Sequence, residues 1–199
     1  FSFINVDAAS AAWADLDGDG DLDLALAGTT TTRVCRLYKN TSVEGPKTLN
    51  ETATLTGVQN GSIAAGDLDN DGRVDLAIAG LDTIGTRTLL ILTNGGNSNF
   101  TASVTLTGLS EAGVAWADVD ADGDLDLAAV GRFGSSAGDI QSLMYLNSGS
   151  GTNAAPSSPS GLSASMVGGV LSVVWTAASD DLWSAGLGYQ VRMGTSSGG

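Results

Sequence analysis

The sequence predicts an all-β chain: propeller-type blades of about fifty residues each, followed by part of a second β-domain. Three observations carry that expectation. A nine-residue acidic pattern, D-x-D-x-D-G-x-x-D, occurs three times, with its first aspartates at Asp15, Asp67 and Asp118, 52 and 51 residues apart. Short apolar runs flank every copy. After Asn147 the composition turns abruptly to Ser, Gly and Pro.

Taken in chain order, residues 1–6 read as the tail of a strand belonging to an earlier unit. Residues 11–14, 63–66 and 114–117 are short apolar stretches that lead into the acidic loops, and each reads as a first strand. Residues 24–28, 76–80 and 127–131 follow the loops as runs of Ala, Leu, Ile and Val ending in glycine. They are too short for helices and read as buried second strands. Third strands come next, over residues 33–40, 87–94 and 142–147, each ending in asparagine. Residues 51–57 and 101–108 carry Thr-Leu-Thr-Gly after an alternating stretch and complete four strands per unit, the size of a propeller blade.

The spacing inside the loops fits calcium. A hard divalent cation takes six to eight oxygens at roughly 2.3 to 2.6 Å, and short carboxylates at alternate positions of a tight loop converge on one point. Positions 1, 3, 5 and 9 supply side chains: Asp15, Asp17, Asp19 and Asp23; Asp67, Asp69, Asp71 and Asp75; Asp118, Asp120, Asp122 and Asp126. Position 7 (Asp21, Arg73, Asp124) would offer only its backbone carbonyl, which lets a cationic arginine stand there. Position 6 is glycine in every copy, where the chain turns sharply. An EF-hand would close with Glu at position 12, but this chain has Leu26, Ile78 and Ala129. Without a cation the clustered carboxylates would repel one another, and within the loops only Arg73 is placed to neutralise them.

The formal charge is −14, and fourteen of the twenty-two acidic residues lie in the three loops. Three calcium ions would bring the charge to −8. Eight scattered Lys and Arg form no basic patch, which argues against nucleic acid or anionic membrane as a partner, and no apolar run is long enough for a transmembrane helix. Cys35 is the single cysteine and reads as a small buried hydrophobe. The chain has no histidine, which removes Ser-His-Asp and Cys-His catalysis within it, and no enzyme activity is expected. Weak calcium loops with dissociation constants of about 10⁻⁴ to 10⁻³ M work outside the cell. At about 2 mM calcium and a constant of about 0.1 mM, each site adds roughly 1.8 kcal/mol of stability.

The loops, the apolar-Gly strands Leu24-Ala25-Leu26-Ala27-Gly28 and Leu76-Ala77-Ile78-Ala79-Gly80, and the third strand Leu37-Tyr38-Lys39-Asn40 resemble FG-GAP or VCBS repeats. These are the calcium-bearing blades of integrin α-subunit propellers and of many large bacterial surface proteins. The resemblance covers residues 1 to about 150. It implies Ca²⁺ on the aspartates named above, with carbonyls from Asp21, Arg73 and Asp124. Propellers of this kind usually have about seven blades, so three loops suggest part of a larger ring or an assembly subunit with unclosed blade edges open to self-association.

Residues 1–147 are thus expected to form three blades, 148–159 a Ser/Gly/Pro linker, and 160–199 a partial domain. Gly161-Leu162-Ser163-Ala164, the alternating stretch 171–175 and Tyr189-Gln190-Val191-Arg192 resemble the first strands of a fibronectin type III domain, with Trp175 as its buried tryptophan. Trp13 and Trp116, two residues before their loops, are expected to pack in the core. The turns 29–32, 81–86 and 132–139 vary in length and chemistry and are candidate recognition loops. The leading expectation is a non-catalytic, calcium-stabilised extracellular adhesion or display module that binds a protein or glycan. The alternatives are a structural subunit of a surface filament or sheath, and an accessory propeller of a secreted polysaccharide-acting enzyme.

Overall fold

The computed structural model describes residues 3–41, 48–148, 157–168 and 170–178, and every regular element among them is a β-strand. The chain divides into two compact units, Phe1–Gly151 and Thr152–Gly199.

In the first unit, β1 (Asp7–Ala14), β2 (Asp23–Thr29), β3 (Arg33–Asn40) and β4 (Leu49–Leu55) form one antiparallel meander, the first repeat. The second repeat is β5 (Gln59–Gly66), β6 (Asp75–Leu81), β7 (Arg87–Asn94) and the first half of β8 (Phe100–Ala117). The same β8 then serves as first strand of the third repeat, pairing onward with β9 (Asp126–Arg132), which pairs with β10 (Ile140–Tyr145). Eighteen residues of one strand therefore do the work of two, where the sequence suggested a break after the Thr-Leu-Thr-Gly of residues 105–108. Residues 3–6 form no strand. They lie against the first repeat, with the Ile4 N–H donating to the Tyr38 hydroxyl at 3.4 Å and the Phe3 ring set edge-on to Tyr38.

The glycine at the end of each second strand has a packing cause. The first strand of every repeat bulges at a residue with positive φ (Ala8, Asn60, Glu111), and the register shifts there. The bulge brings backbone against the neighbouring strand at Gly28, Gly80 and Gly131. A Cβ at these positions would lie 2.8 to 2.9 Å from the carbonyl oxygens of Asp7, Gln59 and Ser110 respectively. Only glycine fits such an approach.

The repeats stack face to face, so the middle one is buried on both sides. In β6, Leu76 and Ile78 pack toward the first repeat with Ala25, Ala27, Cys35 and Leu37. The alternate Ala77 and Ala79 pack toward the third, with Leu127 and Ala129. That double burial explains why β6 reads as an unbroken apolar run rather than an alternating one. Cys35 is fully buried, as expected of a small hydrophobe, and burial pushes its thiol up to about 12. Trp116 also packs between repeats, its indole N–H donating to the Ala64 carbonyl at 3.3 Å. Trp13 departs from expectation: the equivalent position in the first repeat is 54% exposed, because no repeat precedes it among the described residues.

The described part of the second unit is a hairpin of β11 (Ser160–Val167) and β12 (Val170–Thr176). It covers two of the three strands expected there, with Trp175 half-buried, and the expected strand at residues 189–192 lies outside the described residues.

Candidate metal centre

Each acidic loop joins the first and second strands of its repeat, which ties both its ends to one sheet. Within the loop, position 1 organises the turn. Asp15 accepts the N–H groups of Gly18, Asp19 and Gly20, at 2.8, 3.1 and 2.9 Å. Asp67 accepts those of Asp71 and Gly72, and Asp118 that of Gly123. The position-5 carboxylates, Asp19, Asp71 and Asp122, accept the N–H of position 7 at 3.0, 2.9 and 2.9 Å. The chain turns through positive φ twice. Position 6 is glycine, as expected, but position 4 adopts the same left-handed conformation in Gly18, Asn70 and Ala121.

This folding brings positions 1, 3 and 5 together in all three loops. In Asp15/Asp17/Asp19, Asp67/Asp69/Asp71 and Asp118/Asp120/Asp122, one carboxylate oxygen from each residue lies within 4.8 Å of the other two. The position-9 aspartates lie outside these triads. Asp23, Asp75 and Asp126 are 1% exposed, and both oxygens of each accept backbone N–H groups. One oxygen takes the N–H of position 2 (Leu16, Leu68, Val119), each at 2.9 Å. The other takes the N–H of the asparagine that ends the third strand in the first two repeats (Asn40, Asn94) and lies two residues beyond it in the third (Asn147), at 2.7 to 2.8 Å. Position 9 thus fastens the loop to the third strand.

Burial acts on two of these anchors. It raises Asp23 above the ordinary carboxylate value and Asp75 to about 6, against the lowering effect of their backbone donors. Asp67 is also raised, by burial against its Gly72 and Asp71 backbone donors, and the exposed Asp120 is raised by partial desolvation and then by the neighbouring Asp122 carboxylate. Asp19 is lowered, chiefly by the Asp21 N–H.

Two loops also hold a side-chain cation. Arg73 pairs with Asp71 while its Nε donates to the Asn94 carbonyl at 2.6 Å, so the neutralising role expected of it is present. Lys39 pairs with Asp17 and lies 3.4 Å from Asp19. The sequence reading missed Lys39. It sits 16 residues beyond the loop's end, and only strand pairing returns it to the loop.

The residues present fit a hard cation. Each loop offers three carboxylate oxygens at one point. In the first, the Asp17 side chain is 3% exposed, and the Lys39 ammonium is the one partner found for its Oδ2 among the described residues. Bound calcium would supply the double positive charge that holds three such carboxylates together.

The position-7 and third-strand residues also link successive repeats. Asn94 Nδ2 donates back to the Leu16 carbonyl of the first loop, and Asn147 Nδ2 to the Leu68 carbonyl of the second, at 2.9 and 2.8 Å. Asn70 of the second loop donates to Asp124 of the third at 2.6 Å. On the opposite side, Arg33 donates to the Asp82 carbonyl and Arg87 to that of Gly134, so the variable turns 81–86 and 132–139 are tied to the repeat before them. Thr29, Thr31, Thr32, Arg33, Gln59 and Thr83 line an open cleft of about 520 Å³ on that side.

Fold and site together define a repeat protein of propeller-like β-units, each carrying an acidic loop between its first two strands. The FG-GAP-like repeat matches the chain twice, over residues 15–78 and 67–129, which covers all three loops. The chain belongs to this family of FG-GAP-like repeat proteins. No curated protein matches it. No helix among the described residues is long and apolar enough to cross a membrane.

Proposed function

We propose that this chain is a non-catalytic, calcium-stabilised extracellular module that displays a binding surface for a protein or glycan. The observation that carries the reading is the convergence of three carboxylates in each of three equivalent loops, in a family whose repeats often bind calcium and are typical of extracellular proteins. Calcium in this reading is structural: it offsets the repulsion within each triad and thereby fixes the hairpin that leads into each buried second strand. Asp21, Arg73 and Asp124 contribute carbonyls, and Asp23, Asp75 and Asp126 complete the shell from their anchored positions. The turns on the opposite side, around the cleft at Thr29, Arg33 and Gln59, are the recognition surface. The absence of histidine from the sequence supports the non-catalytic assignment.

The test is thermal unfolding of the whole chain in millimolar calcium, in equimolar magnesium and in excess chelator. A melting temperature raised by calcium by ten degrees or more, and little by magnesium, is the expected outcome. Equal melting in all three would sink the metal assignment.

A second reading, as a subunit that assembles side by side, is favoured by the apolar faces left open at the two ends of the stack. Trp13 and Leu22 are 54% and 58% exposed in the first repeat, and Val130 and Met144 are 47% and 54% exposed in the third. Sedimentation in calcium would separate the two readings, since concentration-dependent association that Trp13→Ala abolishes belongs only to the second.

A further inference from the structure

The three loops share one backbone design but differ in the charge around it. The first has five aspartates and the Lys39 ammonium. The second has four and the Arg73 guanidinium. The third has five, and no Lys or Arg pairs with any of them among the described residues. The differences fall at two positions of the repeat. At the residue before the asparagine at or just beyond the end of the third strand stand Lys39, Thr93 and Leu146. At loop position 7 stand Asp21, Arg73 and Asp124.

We propose that Lys39 is a resident cation that competes with calcium in the first loop, so that the three loops fill unequally and the third, where Leu146 replaces the lysine, fills first. The inference rests on the calcium reading above and goes beyond it. The ammonium faces Asp17 and Asp19, which are positions 3 and 5 of the triad, and it pairs with the buried Oδ2 of Asp17, for which no other partner is found among the described residues. A divalent ion drawn to the same oxygens must displace that ammonium or accept a positive charge a few ångströms away. Arg73 is a weaker competitor, because it touches only the position-5 carboxylate and its Nε is held by the Asn94 carbonyl. Among the described residues no cation pairs with the carboxylates of the third loop, and ligand charge raises affinity in sites of this kind. In the absence of calcium the order of stability reverses. Lys39 then keeps the first loop closed, while the third has only hydrogen bonds to restrain its repulsion.

The experiment is calorimetric titration of the whole chelator-stripped chain with calcium, for the wild type, Lys39→Met and Leu146→Lys. Lys39 and Leu146 side chains both reach solvent, so neither change threatens the core. The wild type should show one site tighter than the other two. Lys39→Met should tighten one of the weaker sites by about tenfold, and Leu146→Lys should weaken the tight one by a similar factor, as expected for one charge beside a divalent ion. In chelator, Lys39→Met should melt below the wild type, opposite in sign to its gain in calcium affinity, which a purely structural lysine would not produce. Calcium isotherms unchanged by both substitutions would overturn the inference and leave the calcium reading intact. A wild type that binds no calcium at any loop would overturn both.

Discussion

The side-chain amide of Asn94, at the end of the second repeat's third strand, closes on the carbonyl of Leu16 in the first repeat's acidic loop, at 2.9 Å and in a buried setting. Asn147 repeats the relation on Leu68 one unit later. A loop is therefore finished by the repeat that follows it, and the repeats cohere through polar bonds as well as through the apolar faces between them.

Removing this clasp should be costly. Asn94 is 3% exposed, its amide also reaches the Val74 carbonyl at 3.1 Å and its Oδ1 accepts the Gly96 N–H at 3.0 Å, so Asn94→Ala leaves Val74 and Gly96 without these partners, while Leu16 keeps only the Ser98 hydroxyl at 3.4 Å. The expected loss is about 3 kcal/mol, and about 1 to 2 kcal/mol for Asn147→Ala, which strands one acceptor. Urea unfolding in calcium measures both, and equal losses of under about 0.5 kcal/mol would contradict the clasp.

Ala121 holds φ near +62° where its counterparts are Gly18 and Asn70, residues that tolerate the left-handed region. Ala121→Gly should raise stability by about 0.5 to 1 kcal/mol, the relief of left-handed strain less the added chain entropy. Gly72→Ala, at positive φ in the second loop, should lower it by about 1 to 2 kcal/mol. A chemical denaturation series on the two variants checks the opposite signs.

Trp116 and Trp13 occupy equivalent positions with unequal surroundings. Trp116→Ala should cost about 2 to 3 kcal/mol, below the range for a wholly buried tryptophan because its ring is only partly enclosed. Trp13→Ala should change the stability of the monomer by less than about 0.5 kcal/mol. Gly66→Ala should resemble the first substitution, since a Cβ there would sit 2.9 Å from the Trp116 ring. Melting curves for the three variants at one calcium concentration test the contrast.

Acid should act in opposite directions with and without calcium. Asp75 is raised to about 6 from the ordinary 3.8, and Asp23 and Asp67 are raised too, so the folded apo chain binds more protons than the unfolded one in that interval. Stability of the chelated protein should then fall as pH rises from about 4 to about 6. In calcium the trend should invert, because protons and the metal compete for the same carboxylates. Denaturation midpoints at half-unit steps of pH, with and without chelator, decide it.

Much of this was legible in the chain. The loops and the second and third strands announce themselves by a fifty-residue period and by apolar runs of strand length, and the observed third strands Arg33–Asn40 and Arg87–Asn94 coincide with the expected ones. The reason for each strand-ending glycine was hidden, because the bulge that crowds Gly28 lies in another strand. The asparagines were visible as a repeated letter, but their work is done across a repeat boundary. Lys39 gave no signal, since a lone lysine near a strand end is ordinary until pairing places it beside Asp17. The exposure of Trp13 was equally hidden, because the sequence around it matches that of Trp116 while its neighbours in space do not.

The asparagine clasp also sets a clock. Leu16 and Asn94 are 78 residues apart, and Leu68 and Asn147 are 79. On a ribosome adding about 5 to 20 residues each second, a finished first loop would wait roughly 4 to 16 s for the residue that locks it. For that interval an acidic hairpin stands half-made, and each newly emerging repeat relieves the one before it while creating the same need in itself.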